Sequence, residues 1–212
     1  MKTKQLSVIT GILYLSLIFI GPISIMIIPE MFNGASDLAS YVNNNQSLLR
    51  IWLIADLSLI TIEIILTTTL YLLLAKLDKT KALIAFITRL MMIVVMIVNS
   101  FMILLMLNET TPDVMLSTYL YLHGAGAYIW GVFFFIHVLV LGLILLKVTH
   151  IKNWIAYSLV IGSFGYLLDS TLFITNISSQ LASIILAATL VIVVIGEVTF
   201  GVMLVRNKVI VE

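Results

Sequence analysis

The sequence contains no cysteine and few charged residues, and both absences narrow the classes of protein that it can encode. Without cysteine there is no disulfide framework, no thiolate metal site and no cysteine nucleophile. Charged residues make up 10% of the 212 positions, whereas a soluble domain has about 25%. Because 62% of the residues are hydrophobic, one water-soluble core could not bury the apolar surface. The sequence therefore predicts a protein surrounded by lipid.

Six apolar runs are long enough to cross a membrane, which takes a helix of roughly 20 apolar residues. The first run is too long for a signal peptide and lacks a cleavage site, so we expect it to be retained, with a kink at Gly21 and Pro22. The polar segment after it contains "SDLASYV", which predicts a short interfacial helix capped by Ser36 or Asp37. The predicted spans cover residues 6–28, 48–75, 82–107, 115–147, 153–175 and 181–205. The expected fold is all-α, a single transmembrane domain over residues 1–212 with six membrane-spanning helices.

The distribution of basic residues predicts how this bundle is oriented. Nine of the 11 lysine and arginine residues fall on one side of a six-helix arrangement: Lys2, Lys4, Lys76, Lys79, Lys81, Lys147, Lys152, Arg206 and Lys208. The opposite loops carry mainly acidic residues: Glu30, Asp37, Glu109 and Asp113. Because positive loops stay in the cytoplasm, we expect both termini to be cytoplasmic and the protein to lie in the cytoplasmic membrane of a bacterium or archaeon.

Seven ionisable residues lie inside the predicted spans: Asp56, Glu63, Arg89, His123, His137, Asp169 and Glu197. Each costs a few kcal/mol in lipid, so such residues usually face the interior of the bundle. Asp56 and Glu63 are seven residues apart and His123 and His137 are fourteen apart, so each pair shares a helix face. A strip of small residues beside the histidines, which includes Gly124 and Gly131, predicts close approach of another helix.

Depth along the helices, at ~1.5 Å per residue, divides these residues into two groups. An outer group is predicted roughly 10 Å below the outer boundary: Asp56, His123 and Asp169. An inner group, Arg89, His137 and Glu197, is predicted roughly 10–15 Å above the inner boundary. Glu63 is predicted near the midplane. Arg89 cannot lose its proton, so we expect it to pair with Glu63 or Glu197. Such a pair is equally compatible with a structural role.

Several chemistries are excluded by what the spans lack. A pair of histidines fourteen apart would suit two stacked haems, but that needs a second pair, and the third histidine, His150, is in a predicted loop. There is no intramembrane lysine for a retinal Schiff base, no H-E-x-x-H zinc motif and no phosphate-binding glycine loop. A metal site of His123, Asp56 and Asp169 is compatible with ligand chemistry, but its spacing is not specific. We therefore assign no catalytic residue, no metal ligand and no cofactor.

The order of several motifs resembles the domain-of-unknown-function 4386 family of prokaryotic membrane proteins. The motifs are "LLRIWLIADL", "FITRLM", "LHGAGAYIWGVFFFIHVLVLG" and "GYLLDS", and the resemblance covers roughly residues 5–206. The stretch "LAKLDKTKAL" lacks a proline that the family pattern would place there. The resemblance implies a six-helix integral membrane protein and brings no established activity.

The function expected from these residues is binding or transport of a small molecule, lipid or ion through an intramembrane polar pocket. Asp56, His123 and Asp169 would line an outward-facing pocket, and the inner group would form its gate. Two alternatives stay open: an intramembrane enzyme that modifies a lipid, with His123 and an aspartate as acid–base groups or metal ligands, and a structural or assembly subunit. The expected partners are membrane lipid and a small-molecule or lipid ligand, with a homodimer as one option and no nucleic acid.

Overall fold

The chain forms seven helices and no strand in the computed structural model, which describes residues 2–108, 111–149 and 151–209. Two residues discussed above, Glu109 and His150, lie outside the described residues. The helices are α1 (Thr3–Asn33), α2 (Leu38–Asn44), α3 (Gln46–Leu74), α4 (Lys79–Met106), α5 (Asp113–Leu145), α6 (Asn153–Thr175) and α7 (Gln180–Val205). Six of them, α1 and α3 to α7, are long and apolar enough to cross a membrane. This confirms the predicted all-α fold with six candidate membrane spans.

Helix α1 contains a π-helical turn directly after its proline. The α-helical part runs from Thr3 to Pro22, the π turn covers Ile23–Ile27, and a last α-helical segment covers Ile28–Asn33. Proline has no N–H and its ring crowds the carbonyl four residues earlier, so the regular hydrogen-bond ladder cannot continue through it. A π turn is one of the known causes of a local bend. The irregularity expected at Gly21 and Pro22 thus takes the form of a π turn, which places Ser24 in the interior with no exposed surface.

The short helix α2 is capped as expected, by Asp37. The Asp37 carboxylate accepts a hydrogen bond from the Ser40 backbone N–H at 3.1 Å, which satisfies one of the free N–H groups at the helix start. Val42 of α2 is buried in a small apolar cluster with Phe32 and Trp52. The segment between the first two spans is therefore packed onto the end of the bundle.

The six spanning helices close into a ring in chain order. Helix α1 packs against α3, each of α3 to α6 packs against the next helix, and α7 packs back against α1. The Ser7 hydroxyl of α1 donates to the backbone carbonyl of Leu204 in α7 at 2.7 Å. The interior of the ring is thereby enclosed by helices from both ends of the sequence.

Glycines allow some of these neighbours to approach closely. At Gly162 of α6 an added Cβ would lie 2.6 Å from the backbone nitrogen of Val193 in α7. In the predicted small-residue strip, a Cβ at Gly131 would lie 2.8 Å from the Ser170 hydroxyl, whereas nothing lies within 4 Å of one at Gly124. The expected close approach is therefore confirmed at Gly131 and is wrong at Gly124.

One end of the ring carries Lys76, Lys81 and Lys147 and is called the basic end. Lys76 Nζ donates to the Thr3 hydroxyl at 2.7 Å, which joins the α3–α4 turn to the start of α1. The carboxylate of Asp78 caps α4 through the Lys81 N–H and forms ion pairs with Lys81 at 2.7 Å and Lys147 at 3.0 Å. The hydrogen bonds from Lys81, and then from Lys147, hold the pKa of the Asp78 carboxyl well below its usual value. Helices α1, α4 and α5 are thus fastened together at this end.

Candidate functional site

Each of the six spanning helices contributes one polar side chain to a cluster in the interior of the ring, called the hub. Its members, in chain order, are Tyr14, Glu63, Arg89, His137, Tyr166 and Glu197. Polar groups in a membrane interior need partners within the protein because no water is available to replace them. The hub therefore gives all six helices a common contact.

Arg89 lies at the centre of the hub and is 1% exposed. Its Nε–H and Nη2–H groups both point at Glu63 Oε2, at 2.8 Å and 2.6 Å. Its Nη1–H donates to His137 Nε2 at 2.9 Å. The other ring nitrogen, Nδ1, lies 3.0 Å from the carbonyl of Ala85. Because a carbonyl can only accept, Nδ1 carries the proton and Nε2 is free to accept from Arg89. The predicted pairing of Arg89 with Glu63 is confirmed.

Glu197 joins the hub through two tyrosines. The hydroxyl of Tyr14 donates to Glu197 Oε1 at 3.1 Å, and that of Tyr166 donates to Oε2 at 3.2 Å. The ring of Tyr14 also lies under the guanidinium of Arg89, with 5.8 Å from Cζ to the ring centroid, within the range of a cation–π contact. Glu197 is thus connected to Arg89 through Tyr14, and the ion pair itself is made by Glu63.

A second polar group surrounds Asp56, on the side of the hub away from the basic end. The carboxylate of Asp56 accepts hydrogen bonds from the hydroxyls of Ser24 at 2.5 Å and Ser100 at 2.7 Å. Trp52 Nε1–H donates to the carbonyl of Ser24 at 2.9 Å, and its ring meets the ring of His123 edge-on at 4.7 Å between centroids. Asp56 and His123 are therefore linked through Trp52 and Ser24.

Asp169 lies apart from this group. Its side chain is half-buried and interacts electrostatically with Tyr128. In the described ranges, no hydrogen bond or ion pair joins it to Asp56 or His123. Its neighbour Ser170 is the residue that turns inward, where the hydroxyl donates to the carbonyl of Tyr128 at 2.8 Å. The depth predicted for Asp169 matched that of Asp56, but its direction around the helix differs.

Four buried polar atoms of the described residues have no hydrogen-bond partner: His123 Nε2, Thr67 Oγ1, Trp130 Nε1, whose ring packs against that of Tyr166 in the hub, and Asn207 Oδ1. Thr67 is 1% exposed and His123 is 6% exposed. Thr67 lines a small cavity between α3 and α4 whose free volume, about 10 Å³, has room for about one water-sized atom. The cavity is lined by Thr67, Leu70, Tyr71, Leu74, Ala82, Ala85, Phe86, Arg89 and His137. The interior thus holds open hydrogen-bonding positions at both polar groups.

The residues that complete the two groups were not all identifiable from the sequence. Ser100 shares a helix face with Arg89, so helical spacing could have suggested it. Ser24 could not be assigned to a face because the π turn shifts the residues that follow Pro22. A neutral side chain such as Tyr14 costs less in lipid than a charged one, so the sequence alone does not indicate that it faces the interior.

The described side chains of the two polar groups are joined by hydrogen bonds and one ion pair. In residues 2–108, 111–149 and 151–209, no three His, Asp or Glu side chains are grouped as metal ligands. The ligand set of His123, Asp56 and Asp169 considered above is not assembled, because Asp169 lies apart. What remains is a buried carboxylate, an open imidazole nitrogen, an open hydroxyl and an arginine whose charge Glu63 balances.

Comparisons with known proteins identify a family for this chain. No curated protein and no solved structure matches the sequence. The model of a protein family, described as a domain of unknown function (DUF4386), matches residues 9–207, which is nearly the whole chain. The motifs of α3 to α6 and the hub residues all fall within this range. The chain belongs to the DUF4386 family.

Proposed function

We propose that this membrane protein binds a small molecule, lipid or ion inside its ring of helices and acts in transport. It would lie in the cytoplasmic membrane of a prokaryote with both termini on the cytoplasmic side. The observation that carries the proposal is that His123 Nε2 and Thr67 Oγ1 are buried without a partner. Each lies beside a polar group whose other members are paired.

In a purely structural network, His123 Nε2 and Thr67 Oγ1 would have hydrogen-bond partners within the protein. Leaving a buried donor or acceptor unpaired costs about 1–3 kcal/mol, and the great majority of buried polar atoms have a partner. The hydroxyls of two other threonines in α3 bond to their own helix: Thr61 and Thr68 each donate to the backbone carbonyl four residues earlier, at 2.8 Å and 3.0 Å. Thr67 forms no such bond. Its hydroxyl is therefore available to a ligand.

The positions of the two open atoms favour a ligand path over a single static site. The His123 side chain interacts electrostatically with Asp56 and lies between the hub and the end opposite the basic end, and Thr67 lies between the hub and the basic end. The hub separates them, with Arg89 held by Glu63 and His137. A change in these bonds would connect the two sides, which is the arrangement that alternating access needs.

The two alternative functions predict different bound species in the purified protein. A metal-dependent lipid-modifying enzyme would retain stoichiometric zinc, held by His123 and an aspartate. An assembly subunit would retain nothing in the ring and would lose stability rather than a ligand when the open positions are changed.

Native mass spectrometry of the protein purified in mild detergent separates these functions. We expect a non-covalent adduct whose occupancy falls in His123→Gln or Thr67→Val and is unchanged in the control Thr69→Val. The control suits because the Thr69 hydroxyl already donates to the carbonyl of Leu66 at 3.1 Å. An adduct-free protein, or equal occupancy in all variants, would contradict the proposal. Stoichiometric zinc in the same preparation would favour the enzyme.

A further inference from the structure

We infer that the cavity between α3 and α4 binds the carbonyl group of a lipid-soluble molecule, which enters sideways from the bilayer. This inference rests on the proposed function, because it names the class of ligand that one of the two open positions receives.

The cavity has an apolar wall and a polar floor. Leu70, Leu74, Ala82 and Ala85 form most of the wall, and all four are at most 2% exposed. The floor consists of Thr67, Arg89 and His137. A ligand atom that reaches the floor must therefore be polar, and the part of the ligand that passes between α3 and α4 must be apolar.

The floor accommodates a single small atom. The free space at the floor, about 10 Å³, is about the least that one oxygen needs. Thr67 Oγ1–H is an unused donor. Arg89 has five N–H donors. Glu63 accepts from Nε–H and from one N–H of Nη2, and His137 accepts from one N–H of Nη1, which leaves two N–H groups for a ligand. An oxygen with two lone pairs could accept from Thr67 and Arg89 together.

The charge balance selects a neutral oxygen. Glu63 already compensates the positive charge of Arg89 at 2.6 Å, and Glu197 lies nearby through Tyr14. A carboxylate or phosphate at the floor would add an uncompensated negative charge at membrane depth, which is costly. A carbonyl oxygen is neutral and accepts two hydrogen bonds.

The entrance faces the bilayer. Of the side chains that line the cavity, Tyr71 and Phe86 are the two that are half-buried, and the rest are buried. Their rings pack on each other at 5.2 Å between centroids, one from α3 and one from α4. Flanking residues of the same helices, such as Leu72 and Ile87, are 49% and 48% exposed on the outer surface of the ring. Separation of the two rings would open the cavity towards lipid.

The test uses native mass spectrometry of the full chain in detergent with three added probes. Decylubiquinone carries quinone carbonyls, methyl oleate carries an ester carbonyl and no hydroxyl, and decylbenzene carries no carbonyl. We expect a 1:1 complex with decylubiquinone or methyl oleate and little with decylbenzene. Loss of one hydrogen bond in Thr67→Val should weaken that complex about fivefold. Ala82→Leu should abolish it by filling the cavity, and Thr69→Val should leave it unchanged.

The two carbonyl probes identify the source of the ligand, since binding of either supports the inference. Binding of neither, equal binding of decylbenzene, or a complex that is insensitive to both Thr67→Val and Ala82→Leu would overturn it. Thr67→Val is nearly isosteric, so the test holds even where Ala82→Leu fails to fold. A protein that binds no probe but still carries its own adduct retains the proposed function and loses this assignment.

Discussion

Arg89 carries the one charge in the hub that no change of protonation can remove, because a guanidinium does not lose its proton in proteins. Its burial at 1% exposure is tolerated because Glu63, His137 and the ring of Tyr14 surround it. At the scale of single residues, the stability of the ring therefore depends on keeping Arg89 and Glu63 together.

Replacing Glu63 by leucine should lower the free energy of unfolding by about 3–5 kcal/mol, because an unpaired buried charge is left behind. The double variant with Glu63→Leu and Arg89→Met should recover most of this loss, since both charges are then removed. Unfolding in mixed detergent micelles measures the difference. Ser58→Ala, on the exposed side of the same helix, is the control. A double variant as unstable as the single one would show that the pair is not the cause.

Charged residues of the site could be predicted from the sequence, and their neutral partners could not. The cost of a charge in lipid requires that Arg89 meet a carboxylate, and Glu63 was one of two candidates. Nothing comparable requires Tyr14 or Ser24 to face inward, because a hydroxyl can bond to its own helix backbone, as Thr61 does. The tyrosine link between Glu197 and Arg89 was therefore found only in the structure.

At the scale of helices, close contacts depend on where a neighbouring backbone lies. Gly162→Ala should destabilise the protein by about 1–3 kcal/mol, because the new Cβ would meet the backbone of α7 at 2.6 Å. Gly124→Ala, with nothing within 4 Å, should be neutral or stabilising by up to about 1 kcal/mol, since alanine favours helix. Thermal unfolding of both variants in detergent gives the comparison, and similar effects of the two would contradict the packing of α6 against α7.

The start of α4 allows a charge effect to be separated from a capping effect. Asp78→Asn keeps a good N-cap residue but removes the ion pairs with Lys81 and Lys147. Because the pKa of Asp78 is lowered on folding, its stabilisation is present above the unfolded value of 3.8 and is lost as the pH falls through the folded value.

The melting temperature of Asp78→Asn should therefore lie below that of the wild type at pH 7. The gap should begin to narrow only as the pH falls below about 3.8, the unfolded value. Melting curves of both proteins across this pH range test the sign. A gap that is constant with pH would mean that the ion pairs do not contribute.

Helix extents followed from hydropathy, but helix irregularities did not. The six apolar runs each correspond to one spanning helix because the need for about 20 apolar residues fixes their number. The π turn after Pro22 could not be predicted from hydropathy. A proline indicates that the helix is disturbed but does not specify which backbone conformation results. That is why the position of Ser24 opposite Asp56 was not expected.

At the scale of the whole molecule, an even number of spans places both termini at the same end. The basic end contains Lys76, Lys81 and Lys147, and Thr3 of α1 contacts Lys76 there. Reporter fusions at Asp37 and Asp113 should be external, and fusions at either terminus should be cytoplasmic, because positive charge is retained inside. A cytoplasmic signal at Asp37 with an external terminus would reverse the orientation.

The order of helices around the ring could not be predicted, and Asp169 shows why. Depth along a helix follows from residue number at ~1.5 Å per residue, so Asp169 and Asp56 were placed at one level. The direction of a side chain around the ring depends on which helices are neighbours. The ring places α6 between α5 and α7, and Asp169 then lies beside Tyr128 rather than Asp56.

Closure of the ring between α1 and α7 has a consequence for synthesis of the chain. Glu63, Arg89 and His137 come from three consecutive spans, so their contacts can form as soon as α5 has entered the membrane. Tyr14 must wait for Glu197, its partner 183 residues later in the chain. The first helix therefore stays without its partner in α7 until the last one is inserted. A nascent chain that stalls before α7 therefore holds Glu63, Arg89 and His137 together while the gap between α1 and α7 stays unclosed.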